Sequence, residues 1–404
     1  MRVAVVGCVH GEVDSLYAAI RELERRQSTK VDLVICPGDF QAVRNQSDLA
    51  CMACPPKYRG MGSFWKYYNG SAFAHVPTIF VGGNHEASYH LQQLPLGGLV
   101  APNMYFLGNA GVVNFGGLRI AGISGVYTEK DYEKPRFERP PYPKNEIKSV
   151  YHTRKEDVKR LLRLRRPVDI VVSHDWPRGI WRHGDLPRLL SAKPFLRSEI
   201  ANNTLGNPGT AELLSTLQPS FWFAAHMHVK FAAIVEHLLG KRTKFLALDK
   251  IVPRRDFVQL LDIPVQPHQS SAFGTEPSID SGGKRIDLDL EWLSVLHTEQ
   301  IDPQRNTPVT TEEMERTSVA MQNDKLEMCV HMVSDFKQVA SVYKPGDKPE
   351  PPPSELEFHP HTLGMMVPLG IKANPPTSAE EQDPMSDMDH SSRNAKELVD
   401  IGAE

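Results

Sequence analysis

No apolar run in the chain is long enough to cross a membrane, although 40% of its 404 residues are hydrophobic. That content suffices for a core of two domains' size, so a soluble protein without a membrane partner is expected. Entry into the secretory pathway is not expected either. Residues 1–7, Met-Arg-Val-Ala-Val-Val-Gly, read as a short buried strand rather than an apolar leader followed by a cleavage site. Cysteine is scarce and odd in number: Cys8, Cys36, Cys51, Cys54 and Cys329. Too few for a disulfide scaffold, they fit reduced thiols in the cytosol or nucleus. Cys51 and Cys54 have the spacing of half a zinc site, but no second Cys or His pair lies nearby. Internal repeats are absent, which sets aside solenoids. The formal charge of −3 excludes nothing, but its distribution is uneven. Lysines and arginines dominate residues 133–166, whereas carboxylates dominate the end from Glu380 to Glu404. Such a bipolar chain suits an anionic partner on one face, and the plainer account of 133–166 is a solvated helix at 153–165 plus a loop.

What is present is alternation. Apolar runs at 2–6, 31–36, 78–81, 168–172 and 220–225 read as core strands, with a helical pattern at 15–26 between the first two. Residues 112–115 and 118–123, joined by Gly116-Gly117, read as a hairpin, as do 231–236 and 243–248. This is the α/β pattern. Between 127 and 151 the prolines break every period and leave a long loop. It mixes aromatics with cations, among them Tyr127, Lys130, Tyr132, Lys134 and Arg136. After Pro264 a Ser/Gly-rich linker at 268–283 leads to an apolar-periodic stretch at 286–298 and a helical pattern at 311–333. These predict a second, smaller, α-rich module. The Pro-rich and then acidic chain from about 344 onward predicts disorder.

Five short segments follow predicted strands and carry metal-ligating side chains: Cys8-Val9-His10, Gly38-Asp39, Gly83-Asn84-His85-Glu86, Ser173-His174-Asp175 and His226-Met227-His228. Open α/β layers place ligands at the carboxyl ends of strands. Alone, each fragment is commonplace: Gly-Asp is a turn, and His-x-His is two same-side strand residues. Together they supply the donors that two divalent ions need, with Asp39 as the bridge, His10 and His228 for one ion, and Asn84, His174 and His226 for the other. His85 adjoins Asn84 and points to the opposite side of an extended chain, which suits a general acid.

These segments resemble the motifs of the calcineurin-like metallophosphoesterases over roughly residues 1–250. Gly38-Asp39 and Gly83-Asn84-His85-Glu86 match fully. Cys8 stands where that superfamily has an aspartate, and Ala225 replaces the glycine before His226. A cysteine at that place resembles the RNA lariat debranching enzymes, as do Gly7-Cys8-Val9-His10-Gly11-Glu12, Gly38 through Asn45, Pro55-Pro56-Lys57-Tyr58-Arg59, Gly82 through Ser88, Ser173 through Pro177, and Leu246-Ala247-Leu248-Asp249-Lys250.

The resemblance implies a four-layer sandwich, two β-sheets flanked by helices, over 1–250. It also implies a recognition loop at about 125–151 and a smaller accessory domain at 251–340, whereas the tail at 341–404 resembles nothing in the family and is expected to be disordered from its Pro-rich and acidic composition alone. It implies a metal-dependent 2′,5′-phosphodiesterase that opens the branch point of excised intron lariat RNA. The expected cofactors are two divalent ions, iron(II), zinc(II) or manganese(II), with Cys8 joining the ligands. Water would attack the branch phosphorus in line, with His85 protonating the departing 2′-oxygen. Glu86 and Asp175 are expected to accept hydrogen bonds from ligand imidazoles. Tyr127 and Tyr132 would stack unpaired bases, and Lys130, Lys134 and Arg136 would pair with phosphates. Splicing or intron-turnover proteins are the expected partners, and the nucleus, with shuttling to the cytoplasm, the expected location. The rival readings are a phosphoprotein or nucleotide phosphoesterase of the same fold, and a non-catalytic scaffold.

Overall fold

The strand Arg2–Val6 (β1) sends Val3 and Val5 to one face and Ala4 and Val6 to the other, and all four are buried. A strand covered on both faces needs apolar residues at every position, which is why the run reads as continuous. The computed structural model describes residues 1–144, 146–265 and 285–372, all within one compact unit. The strands after β1 are β2 (Leu33–Cys36), β3 (Thr78–Phe80), β4 (Gly98–Ala101), β5 (Met104–Phe106), β6 (Ala110–Phe115) and β7 (Leu118–Ile123). There follow β8 (Ile170–Ser173), β9 (Phe221–Ala224), β10 (Phe231–Glu236), β11 (Arg242–Ala247), β12 (Val258–Asp262), β13 (Arg285–Leu288) and β14 (Cys329–His331).

They form two sheets. One has the order β12-β1-β2-β3-β5-β4, and the other β10-β11-β9-β8-β7-β6-β13-β14. β1, β2, β3 and β5 run parallel, as do β7, β8, β9 and β11. Val3, Val5, Ile35 and Ile79 of the first sheet meet Ile120, Val171 and Phe223 of the second in one core. On the outer face of the first sheet, helix Val13–Gln27 buries Val13, Leu16, Tyr17, Ile20 and Glu24, one stripe at helical spacing. It stops where Ser28 turns left-handed, at φ 48°. Helices Lys155–Leu162, Pro208–Leu217 and Leu290–Ile301 supply Val158, Leu213, Trp292 and Val295 to the larger core. The result is mixed α/β, two sheets flanked by helices. Gly116 and Gly117, both at positive φ, turn β6 into β7, a conformation that suits the twist of the hairpin.

The carboxyl-terminal part supplies the expected helices, Leu290–Ile301 and Thr311–Asn323, but its short strands join the two sheets. β12 pairs with β1 along its whole length, Arg2 opposite Asp262 and Val6 opposite Val258, while β13 pairs with β6. Arg119 on β7 ties the junction further, with Asp289 at 2.7 Å and Glu291 at 2.8 Å. These short strands complete two sheets whose edges lie far away in sequence, so no local period announces them. Residues 341–372 depart from the expected disorder. Tyr343 donates its amide to Arg44 at 3.0 Å, Asn45 Nδ2 donates to the Ser341 carbonyl at 2.9 Å, and helix Pro360–Met366 buries Met365 and Met366. This segment is held by backbone and side-chain bonds to distant loops rather than by its own periodicity. The linker at 268–283 and the chain from 373 lie outside the described residues.

The basic stretch at 153–165 becomes helix Lys155–Leu162 and its flanks. Arg154 pairs with Glu138, Arg160 with Glu299 at 2.7 Å, and Arg163 donates to the Val295 carbonyl and Thr298 Oγ1. These guanidinium groups brace the fold from within.

Candidate metal centre

Five strands deliver the five segments to one edge. Cys8 and His10 follow β1, Asp39 follows β2, Asn84 and His85 follow β3, His174 follows β8, and His226 and His228 follow β9. Because β1 to β3 are parallel in one sheet and β8 and β9 in the other, their carboxyl ends meet where the sheets face each other. Cys8, His10, Asp39 and His228 bring one ligand atom each within 4.8 Å of one another. His10 Nε2 and His228 Nε2 stand 3.2 Å apart. Beside them, His174 Nε2 lies 3.2 Å from Asn84 Oδ1, and the His174 and His226 rings are 4.9 Å apart.

Asp39 stands between the two sets. Its Oδ1 is 3.3 Å from His174 Nε2 and accepts the His85 amide at 2.8 Å, while Oδ2 is 3.7 Å from His10 Nε2. Oδ2 is buried without a hydrogen-bond partner. An orphaned carboxylate oxygen facing imidazole nitrogens and a thiol is a donor set for a cation, so these residues fit divalent ions. Close approach is built into the turns: a Cβ on Gly38 would stand 2.3 Å from His174 Nδ1, and one on Gly83 2.2 Å from Asp39 Oδ1. His10, Asp39, His226 and His228 all have φ between 47° and 67°, a region L-residues seldom occupy. Such strain persists only where surrounding structure holds it, and it collects at functional sites.

The electrostatics suit ligands rather than free charges. Burial pulls His10 down to about 4, His226 to about 3 and His228 to about 2, leaving neutral imidazoles at physiological pH. Burial also pushes the Cys8 thiol well up, helped by the Asp39 carboxylate. For Asp39 itself, burial opposes the charge, but His174, His85 and His10 outweigh it and hold the group well below the usual carboxylate range. His174 is the converse: burial opposes its charge, yet Asp39 raises its proton affinity.

The expected supporting carboxylates do other work. Glu86 accepts the amides of Phe40 and Gln41 at 2.8 Å and of Gly83 at 3.0 Å, clamping the turns that carry Asp39 and Asn84. Asp175 accepts the amides of Tyr127 at 3.1 Å and Trp176 at 2.9 Å. Neither reaches an imidazole, because carboxylates in tight turns find the nearest free amides first. The acceptor facing His174 Nδ1 is instead the Pro37 carbonyl at 2.8 Å.

The loop residues divide. Tyr127 lies edge-on to Tyr132 and beneath the Arg178 guanidinium, 5.0 Å from its ring centroid. Tyr132 is half-buried against the main core. Lys130 is exposed, Lys134 is exposed and pairs with Asp131 at 3.1 Å, and Arg136 is held by Asp157 at 2.7 Å and the Val150 carbonyl. Arg136 is thus a brace of the loop. Sequence reasoning missed Arg178, for which the only signal is its place three residues after Asp175. It also gave no role to Lys250, although the match at 246–250 ends on it. No disulfide forms among the five cysteines. Ala225, in place of a glycine, is buried, and its carbonyl accepts the Trp176 indole at 2.7 Å.

Two family descriptions match the chain: calcineurin-like phosphoesterase over residues 1–230, and the lariat debranching enzyme C-terminal domain over 240–374. The chain is similar to the lariat debranching enzyme of Mus musculus, 53% identical over 302 residues that cover 73% of this chain and 52% of that protein. Against the lariat debranching enzyme of Homo sapiens the figures are 51% identity over 302 residues, 73% and 53%. Against that of Arabidopsis thaliana they are 44% over 375 residues, 92% and 86%. The chain therefore spans about half the length of the two mammalian relatives.

Proposed function

The chain belongs to the calcineurin-like phosphoesterase family, and from that premise we propose that it hydrolyses the 2′,5′-phosphodiester at the branch point of excised intron lariat RNA, releasing a linear RNA. The observation that carries the reading is the Asp39 carboxylate, set between two groups of imidazoles and tied to the amide of His85.

Membership of the family implies divalent metal ions. Cys8, His10, Asp39 and His228 would hold one, and Asp39, Asn84, His174 and His226 the other. When bound, such ions supply Lewis acidity toward phosphoryl oxygens and activate water. A donor set of thiol, imidazole and carboxylate favours zinc(II), iron(II) or manganese(II) over magnesium. The His85 ring lies 5.1 Å from that of His10, and no side-chain hydrogen bond ties it among the described residues. It is free to turn toward a leaving oxygen. It would protonate the departing 2′-oxygen as bond cleavage proceeds. Asp39 fixes the His85 backbone, and Glu86 fixes the turns on either side. Tyr127, Lys130 and Lys134 offer a stacking face and charge to the unpaired strands at the branch. An intron substrate places the action in the nucleus, with passage to the cytoplasm and contact with splicing or intron-turnover proteins as companions of that role.

A branched RNA and a linear RNA of the same sequence, each incubated with the metal-loaded protein, test the reading. Cleavage confined to the 2′,5′ linkage is expected, because the leaving oxygen of a 3′,5′ linkage is displaced from His85. Comparable rates on the two linkages, or faster turnover of a phosphoserine peptide, refute it.

A further inference from the structure

Between β11 and β12 the chain crosses from one sheet to the other directly beside the end of β1. It is fastened there twice: the Ile251 amide donates to the Cys8 carbonyl at 3.0 Å, and the Gly7 amide to the Phe257 carbonyl at 2.9 Å. The fit is flush, since a Cβ on Gly7 would stand 1.9 Å from the Asp249 carbonyl oxygen. This crossing carries Lys250, Arg254 and Arg255, and its neighbours add Lys193 and Lys230. Asp249 and Asp256 are the carboxylates among them: Arg255 lies 3.3 Å from Asp249, and Lys230 3.8 Å from Asp256. Lys250 and Arg254 make no ion pair among the described residues. Lys250 immediately precedes Ile251, whose amide is fastened to the Cys8 carbonyl, and its charge adds to the burial that lowers the proton affinities of His10 and His228.

A cluster with surplus positive charge repels itself, so its favourable interaction lies with an incoming anion. The loop at 125–151 is tied beside the other ligand set, through Asp175 next to His174, so each ligand set has a cation-bearing segment fastened next to it. A linear strand needs one path through an active site, whereas a branch nucleotide sends strands away in diverging directions. We propose that residues 249–257 form a second phosphate-holding rim, on the Cys8, His10 and His228 side, which grips one arm of a branched RNA, with Lys250 contacting a phosphate next to the branch. The proposal rests on the branched-RNA reading above.

Lys250→Ala, Lys250→Arg and the double variant Arg254→Ala/Arg255→Ala test it in the full chain. Steady-state constants are measured on a branched RNA with full arms and on versions lacking the 5′ arm or the 3′ arm together with its branch phosphate, or with the 2′ arm cut to its first nucleotide, across a salt series. Loss of one charge-assisted phosphate contact is expected to raise KM about tenfold. It should also make the salt slope shallower by about 0.7, the value for one contact to a single strand. Lys250→Arg should recover most of the KM. The KM penalty of Lys250→Ala should vanish on the substrate lacking one particular arm and persist on the others. Unchanged KM and salt slope overturn the proposal, as does an equal penalty on every trimmed substrate. Loss of bound metal from Lys250→Ala also overturns it, because Lys250 would then support the metal centre. A wild-type protein that leaves branched RNA intact refutes the functional reading itself, before any variant is compared.

Discussion

His85 owes its position to its backbone, and its chemistry to its ring. The amide is tied to Asp39 Oδ1 at 2.8 Å, so removing the imidazole leaves that tie in place. His85→Ala is therefore expected to keep its fold and metal content while turnover on branched RNA falls by roughly 10²–10⁴, the span for loss of a general acid. Metal analysis beside the assay decides, since loss of metal would make His85 a ligand instead. His90, five residues on, is fully structural. It is buried, its Nδ1 lies 2.8 Å from the Ala42 carbonyl, and burial with help from Arg44 pulls it down to about 3. Because the folded value lies below the ordinary 6.5, the unfolded chain takes up the proton first. The contribution of His90 is thus complete above about pH 6.5 and is lost as pH falls toward 3, at up to about 1.4 kcal/mol per pH unit. His90→Gln keeps a donor for Ala42 without a titrating ring. Denaturant unfolding across this range should show a shallower acid limb for the variant, and identical limbs would contradict the assignment.

At the scale of elements, the loop at 125–151 is ordered by charge more than by apolar packing. Its anchors are Glu138 with Arg154, both about 1% exposed, His152 with Asp131 at 2.7 Å, and Arg136 with Asp157 at 2.7 Å. Arg154 also donates to the Asp131 and Ser149 carbonyls, so one guanidinium gathers three parts of the loop. Removing one partner of a buried pair leaves the other charge stranded, at a cost of roughly 3–5 kcal/mol. Glu138→Ala is expected to loosen the loop, seen as faster proteolysis within 127–151 and a raised KM for branched RNA, with metal content unchanged. Cleavage by protease at the wild-type rate would show that the remaining anchors suffice.

Across the whole molecule, the carboxyl-terminal part is a structural member of both sheets. Without β12 the edge of β1 is bare, and without β13 the edge of β6 is bare; both neighbour strands are buried and apolar. Bare apolar edges recruit other chains. A chain cut after Lys250 is accordingly expected to aggregate, although it retains every candidate metal ligand. A soluble, monomeric 1–250 fragment by size-exclusion chromatography would refute this.

The candidate site was legible early because its signal is local: an apolar run followed within a few residues by a ligating side chain, as in Val6 to Cys8 and Ala224 to His226. The parallel strand ends then leave little choice about where those side chains meet. The hairpin at Gly116-Gly117 was legible for the same reason, since two glycines permit the turn their neighbours need. What the sequence by itself could not determine is which distant groups complete one another. β12 finds β1 some 250 residues away, and an edge strand carries no mark of its partner. Glu86 takes backbone amides rather than an imidazole, Arg136 and Arg163 turn inward to carboxylate and carbonyl partners, and residues 341–372 pack without any period of their own. Each of these outcomes depends on which polar groups are left unsatisfied once the chain is compact, and only the tertiary structure decides that.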